Sequence, residues 1–328
     1  MLVCLVPALL LTLFPIIGFG QEPASDDEIV RVNTELLLFP IRVRDKRKPE
    51  QKLTEADLAL KDADRVTTGV YFSAGADRLA LVFALDESGS LREIIVQQRE
   101  AALALFGKFG EKSRVAVMRF SGSPVLVADF GRDLEAVRSA FNFPARPNQR
   151  TAIFDAAAAA VRTFDSLPRI RSERHIVILI SDGLDNASSA KAESVIKTAL
   201  NKRVSFYIVH LPLFAPRDGR LAIRSPAKGF RELAEKTGGR FFVAADARSA
   251  LASTPVNLAP VFKAIEDDLK GQYLIGFYIG EAANDGRKHR FSLSLPAGVE
   301  YQFGQLEYSR KHEFFVQRPR EALQNRAQ

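Results

Sequence analysis

Over the middle of the chain, continuous apolar runs alternate with segments of helical periodicity. LALVFALD (79–86), RVAVMRF (114–120), HIVILISD (175–182) and RVSFYIVH (203–210) show almost no polar alternation, the pattern of strands covered on both faces. PVLVADF (124–130) follows its predecessor after a short turn and predicts an antiparallel edge strand. Residues 91–109, 133–141, 151–164, 190–201 and 226–237 read as helices, and GRFFVA (239–244) as a closing strand. This alternation predicts an α/β fold with a doubly wound, Rossmann-like sheet over 78–246. The flanks are different. Residues 31–77 read as a β-rich segment: a strand or two over 31–44, a charged turn at 46–52, a short helical turn at LTEADL, where Thr54 and Asp57 have capping-box spacing, and short strands in LALKDADRV and TTGVYF. Residues 247–318 read as a linker helix (258–269) followed by strands at 271–280, 289–296 and 309–316, with 319–328 left as a tail. Short strands on one side alone cannot bury a core, so the two β-rich flanks are expected to pack together.

The first twenty residues, MLVCLVPALLLTLFPIIGFG, carry no charged side chain and end in small residues at Gly18 and Gly20. They read as a secretory signal peptide cleaved near Gly20, with 21–30 as an exposed, disordered mature terminus. The missing basic residue in the leading stretch departs from that pattern, and retention as a membrane anchor is the alternative. An extracytoplasmic location follows, whether periplasm, cell envelope or secreted. Cys4 is the only cysteine. A disulfide scaffold, a cysteine-rich zinc site and a thiol nucleophile are therefore excluded. The four histidines (175, 210, 289, 312) leave little for a His-rich metal site, and His175 and His210 read as packing or hydrogen-bonded residues. The net charge of +7 is scattered in short clusters. It favours anionic partners, including an envelope or membrane surface, and no motif points to nucleic acid. The RIRSER cluster (169–174) reads as a solvated loop face.

The candidate chemistry sits where strands end. The first α/β strand leaves as Asp86-Glu87-Ser88-Gly89-Ser90, so Asp86, Ser88 and Ser90 share one side of an extended exit. HIVILISD ends in Ser181-Asp182-Gly183, and Thr151 opens the alanine-rich helix. Ligands of open α/β sheets lie outside the carboxyl ends of the strands. Two carboxylates and three hydroxyls thus reach one rim from three loops. An all-oxygen set suits a hard cation, Mg²⁺ first, with Mn²⁺ or Ca²⁺ as substitutes. With three neutral donors the ion stays electron-poor and can accept a carboxylate from another molecule. No G-x-S-x-G elbow, Walker loop or G-x-G-x-x-G is present, so neither an acyl-transfer nucleophile nor a phosphate cradle is encoded.

The D-x-S-x-S string, the later Thr and the strand-end Asp resemble the metal-ion-dependent adhesion site (MIDAS) of von Willebrand factor type A (VWA) domains. The flanking segments EIVRVNTELLLFPIRVRD, LTEADLAL and GQYLIGFY are similar to the bacterial extracytoplasmic "VWFA-related" proteins first noticed in Acidobacteria. That resemblance implies a metal site at Asp86, Ser88, Ser90, Thr151 and Asp182, with the hydroxyls binding directly and the two Asp often acting through water. It implies a non-enzymatic adhesion or scaffold module whose ion is completed by an acidic residue of a protein ligand. One departure is Gln149-Arg150 where the family usually has Gly before the threonine; a cation there would weaken metal affinity or steer an acidic partner. Two other readings stay open: a structural envelope protein with a vestigial site, and a metal-dependent hydrolase.

Overall fold

The computed structural model describes residues 35–46, 53–62, 65–66, 70–74, 78–87, 91, 95–96, 99–109, 113–142, 150–168, 170, 173–217, 220–244, 256–279, 288–303 and 309–317. The signal-peptide, 21–30 and tail expectations lie outside these residues, as do Ser88, Ser90, Gln149 and most of the 169–172 run.

The N-terminal flank contributes β1 (Glu35–Asp45), β2 (Ala59–Asp62), β3 (Arg65–Val66) and β4 (Val70–Ala74). The central region follows as β5 (Leu79–Asp86), α1 (Arg99–Gly107), β6 (Arg114–Phe120), β7 (Pro124–Gly131), α2 (Leu134–Ala140), α3 (Ile153–Thr163), β8 (Arg174–Ser181), α4 (Ala192–Lys202) and β9 (Val204–His210). Next come β10 (Phe214–Arg217), β11 (Arg220–Ile223), α5 (Phe230–Lys236) and β12 (Phe241–Val243). The C-terminal flank adds α6 (Ala259–Lys270), β13 (Gln272–Ile279), β14 (Lys288–Ser294), β15 (Val299–Phe303) and β16 (Lys311–Gln317). Among the described residues no helix is long and apolar enough to cross a membrane.

The central sheet has the order β12-β9-β8-β5-β6-β7, parallel except for the antiparallel edge strand β7. It is the doubly wound α/β sheet that the hydrophobic pattern predicts. Strand β5 is buried at every position, and its two faces differ in size. Leu79, Leu81, Phe83 and Leu85 point into a core layer shared with α1, α2 and α6. Ala80, Val82 and Ala84 point into the layer under α3, α4 and α5. There the alanines of α3, Ala156, Ala157 and Ala160, are fully buried. Small side chains on both surfaces let helix and sheet approach closely, which is what the alanine tract accomplishes.

The flanks meet as expected. β1 lies between β13 and β15, and β13 also pairs with β4. β2 pairs with β14, which pairs with β16. Ile41, Leu60, Ile275, Phe291, Leu293 and Tyr301 form their shared core. The LTEADL turn is a single 3-10 turn, Glu55–Asp57, closed by Thr54 N–H donating to Asp57 Oδ2 at 2.8 Å.

Two local expectations need correction, and two elements are unexpected. The helix expected over 226–237 begins only at Phe230, because Pro226 and the left-handed Gly229 (φ 92°) shape a turn before it. The hairpin β10–β11 carries too little apolar alternation to stand out in sequence, and strand β15, which does alternate as Val299-Glu300-Tyr301-Gln302-Phe303, is a short run between its neighbours that sequence reading passes over; both form. Within RIRSER, Glu173 and Arg174 are buried rather than solvated, at 8% exposure each. Glu173 lies 3.0 Å from Arg114 and 3.6 Å from Arg78, and Arg174 donates to Gln272.

Candidate metal centre

Strands β5 and β8 are parallel neighbours, with Leu85 opposite Ile180. Their last residues, Asp86 and Ser181, therefore emerge side by side at the carboxyl edge. This is also where the strand order reverses, since the chain leaves β5 toward β6 on one side and returns as β8 on the other. Asp86 is fully buried, and the Ser181 hydroxyl donates to its Oδ2 at 2.7 Å. The Ser181 oxygen also accepts from Gly183 N–H at 3.1 Å. One short hydroxyl thus aims the first carboxylate and starts the next loop.

Asp182 is 6% exposed. Its Oδ1 accepts from Leu184 N–H at 2.8 Å, and its carbonyl is held by His210 Nε2 at 2.9 Å. Burial pushes the Asp182 carboxyl above its ordinary range, against the opposing pull of the Leu184 N–H and the Arg224 charge. Gly183, with φ 82°, turns the chain here. A Cβ at that position would lie 2.6 Å from Pro226 Cβ and 3.1 Å from the Phe230 ring. Only glycine accommodates both the left-handed backbone and the approach of the segment leading into α5.

Thr151 is 5% exposed, immediately ahead of α3. The chain is fixed to the β6 exit by Ala152 N–H donating to Ser121 carbonyl at 2.7 Å. It is also laced to the loop after β8. Thr151 N–H donates to Asn186 Oδ1 at 2.8 Å, and the Thr151 carbonyl accepts from Asn186 and Ala187 N–H at 3.0 and 3.2 Å. Helix α3 has no capping side chain of its own at Ala152. Ser188 supplies the cap from the other loop, its Oγ accepting from Phe154 and Asp155 N–H at 2.9 and 3.2 Å. Asp155 answers by accepting from Ser189 and Ala190 N–H. Asn186 and Ser188 are the residues that sequence reading passes over. Asn-Ala-Ser resembles only a modification sequon there, and nothing local says that its polar atoms serve a helix 33 or 34 positions earlier.

The rim therefore gathers Asp86, Thr151 and Asp182 on three adjoining segments, while Ser88 and Ser90 lie outside the described residues. Among the described residues no three His, Cys, Asp or Glu side chains group as cation ligands. Two buried carboxylates with neutral oxygens around them are the donor chemistry of a hard, hydrated ion rather than of a His- or Cys-ligated metal. His210 is turned to a backbone carbonyl between the Phe230 and Phe241 rings, and His175 stacks on Phe164 with centroids 4.6 Å apart. Both are structural, as their sequence context suggests. Arg150 is exposed and donates to the Asn186 carbonyl at 3.3 Å.

The von Willebrand factor type A domain model matches residues 80–254. The chain belongs to the VWA domain family, a class of metal-dependent adhesion and protein-interaction modules whose members are generally not enzymes. No curated protein matches the sequence. Among solved structures, the chain is similar to an aerotolerance-related membrane protein from Bacteroides fragilis (19% identity, 58% of this chain and 98% of that one, TM-score 0.43). It is also similar to a von Willebrand factor type A protein from Catenulispora acidiphila (14% identity, 79% and 75%, TM-score 0.46). A third likeness is to proximal thread matrix protein 1 of the mussel byssus, with a zinc-occupied MIDAS motif (14% identity, 61% and 50%, TM-score 0.45).

Proposed function

We propose that this chain is an extracytoplasmic protein-binding module of the adhesion or scaffold kind, working through a divalent cation at the carboxyl edge of its central sheet. Asp86, Ser88, Ser90, Thr151 and Asp182 would hold the ion, Mg²⁺ or in its place Mn²⁺ or Ca²⁺. The bound ion would supply a Lewis-acidic position for a carboxylate of the protein partner. The chain's own residues prepare that position. Ser181 fixes the Asp86 carboxylate, Leu184 N–H and His210 fix Asp182, and Asn186 fixes the Thr151 backbone.

The observation that supports this reading most is the burial of two carboxylates at one strand rim, Asp86 fully and Asp182 nearly so. Burying anionic groups is costly unless charge or hydrogen bonds compensate them, and a divalent ion would offset the cost of both. The extracytoplasmic location rests on the N-terminal apolar segment of the sequence. Calorimetric titration of the purified protein with Mg²⁺ and Mn²⁺ tests the cation. The expected result is saturable binding that Asp86→Ala abolishes while the fold, followed by circular dichroism, is retained. Unchanged metal binding in that variant removes the site assignment. Capture of a protein partner from envelope extracts is expected to be reversed by EDTA.

A further inference from the structure

The loop between β9 and α5 is a rim segment that supplies no ligand in the cation reading. It leaves the sheet as the hairpin β10–β11, an antiparallel pair that joins no larger sheet, with Phe214 opposite Ile223 and Arg217 opposite Arg220. Its base is fastened on both sides of Asp182. Leu211 N–H donates to the Ser181 carbonyl at 2.9 Å, and Ala227 N–H to the Gly183 carbonyl at 2.8 Å. Between those tethers, Arg224 N–H closes the hairpin onto the Leu213 carbonyl at 2.8 Å. The segment 211–229 contains Arg217, Arg220, Arg224 and Lys228 against one acidic residue, Asp218. Arg224 and Lys228 are exposed.

Arg150, directly before Thr151, is also exposed. Among the described residues neither Arg150 nor Arg224 enters an ion pair. Arg150 makes one long hydrogen bond to a neutral carbonyl, and Arg224, tied through its backbone N–H, acts on Asp182 only through the field of its charge. Basic groups held in no ion pair beside one site are available to a ligand. Basic charge so placed is unfavourable for holding a cation alone. It becomes favourable once an acidic chain lies across the site, which is a charge-complementarity argument for what that chain is.

We propose that Arg150 and the β10–β11 hairpin with Arg224 form a basic rim that docks an acidic polypeptide segment, one carboxylate at the cation and its neighbours on the arginines. This rests on the cation reading above and adds the class of partner to it. Planar guanidinium groups suit carboxylates bidentately, so the rim selects a run of Asp or Glu rather than a single acid. The hairpin also offers Ile223, 47% exposed, as an apolar contact beside that run.

The test uses the full chain and two fluorescent peptides, one glutamate-rich and one with glutamine in place of every glutamate. Anisotropy in Mg²⁺ is expected to show binding of the glutamate peptide alone, weakening as salt rises. The double variant Arg150→Glu and Arg224→Glu is expected to weaken it at least about tenfold, with Mg²⁺ calorimetry no weaker than in the parent. Lys61→Glu, an exposed position on the flank, is the control expected to change nothing. Equal binding of the two peptides, binding of neither, or an unaltered affinity in the double variant overturns the basic rim. Absence of Mg²⁺ binding in the parent, with arginine-dependent capture persisting in EDTA, overturns the cation reading and upholds the rim.

Discussion

At the scale of single residues, His175 and His210 serve as packing, and for His175 this has a consequence in pH. His175 stacks on Phe164, and burial, with the nearby Arg114 charge, holds its pKa down to about 4 against an ordinary 6.5. The folded protein therefore refuses a proton that the unfolded chain accepts. Above the unfolded pKa both states are neutral and nothing is lost. As pH falls from about 6.5 toward about 4, stability drops, and below the folded pKa the loss levels off. For a shift of this size the full effect is about 3 kcal/mol. Urea unfolding between pH 7 and 4 is expected to show this decline, and His175→Phe, which keeps a ring against Phe164, is expected to flatten it. Ser181 works on the same scale. Its hydroxyl is invisible as chemistry in the string ILISDG, and only the pairing of β5 with β8 puts it against Asp86.

Among elements, the loop after β8 and the start of α3 behave as one unit. Helix α3 lacks a capping side chain next to its own N-terminus and receives one from Ser188. Ser188→Ala is expected to cost about 1 kcal/mol in equilibrium unfolding, as the loss of an N-cap does. It is also expected to weaken Mg²⁺ binding in calorimetry, because the same loop holds the Thr151 backbone through Asn186. A loss of stability with unchanged metal affinity would separate the cap from the site. The helices and strands of the α/β region were legible because their patterns are long and strongly periodic. The hairpin β10–β11 was not: PRDGR supplies a turn signal, but four-residue strands with an interior proline carry little alternation.

For the whole molecule, one buried polar knot joins the β-rich flank to the α/β region. Arg42 of β1 donates through Nε to Asp268 Oδ1 of α6 at 2.7 Å and through Nη2 to the carbonyls of Gly238 and Gly239. Tyr207 O–H donates to Asp268 Oδ2 at 2.6 Å, and Gln272 Nε2 donates to both the Tyr207 oxygen and Asp268. Gly239 lets this segment lie against the backbone of β9. A Cβ at Gly239 would sit 1.7 Å from the Phe206 carbonyl. The Asp268 side chain is only 4% exposed, so removing Arg42 leaves a buried charge with the half-exposed Arg240, 3.7 Å away, as its remaining cation. Arg42→Met is expected to destabilise the protein by about 3 kcal/mol. In the parent, circular dichroism in urea is expected to show flank and α/β region unfolding in a single transition, and in the variant to show them beginning to separate.

By itself, the amino-acid order determined the layers: buried strands without alternation, amphipathic helices between them, and β-rich ends too small to stand alone. It also pointed to the acids and hydroxyls at the strand ends, because strand exits are local features and their residue types are chemically distinctive. What only the tertiary structure decided are the partnerships between distant stretches: Ser181 with Asp86, Asn186 with Thr151, Ser188 with α3, Arg42 with Asp268. The reason is physical. Hydrophobic periodicity is written in neighbouring residues, whereas a hydrogen bond between loops depends on which strands pair and in what register.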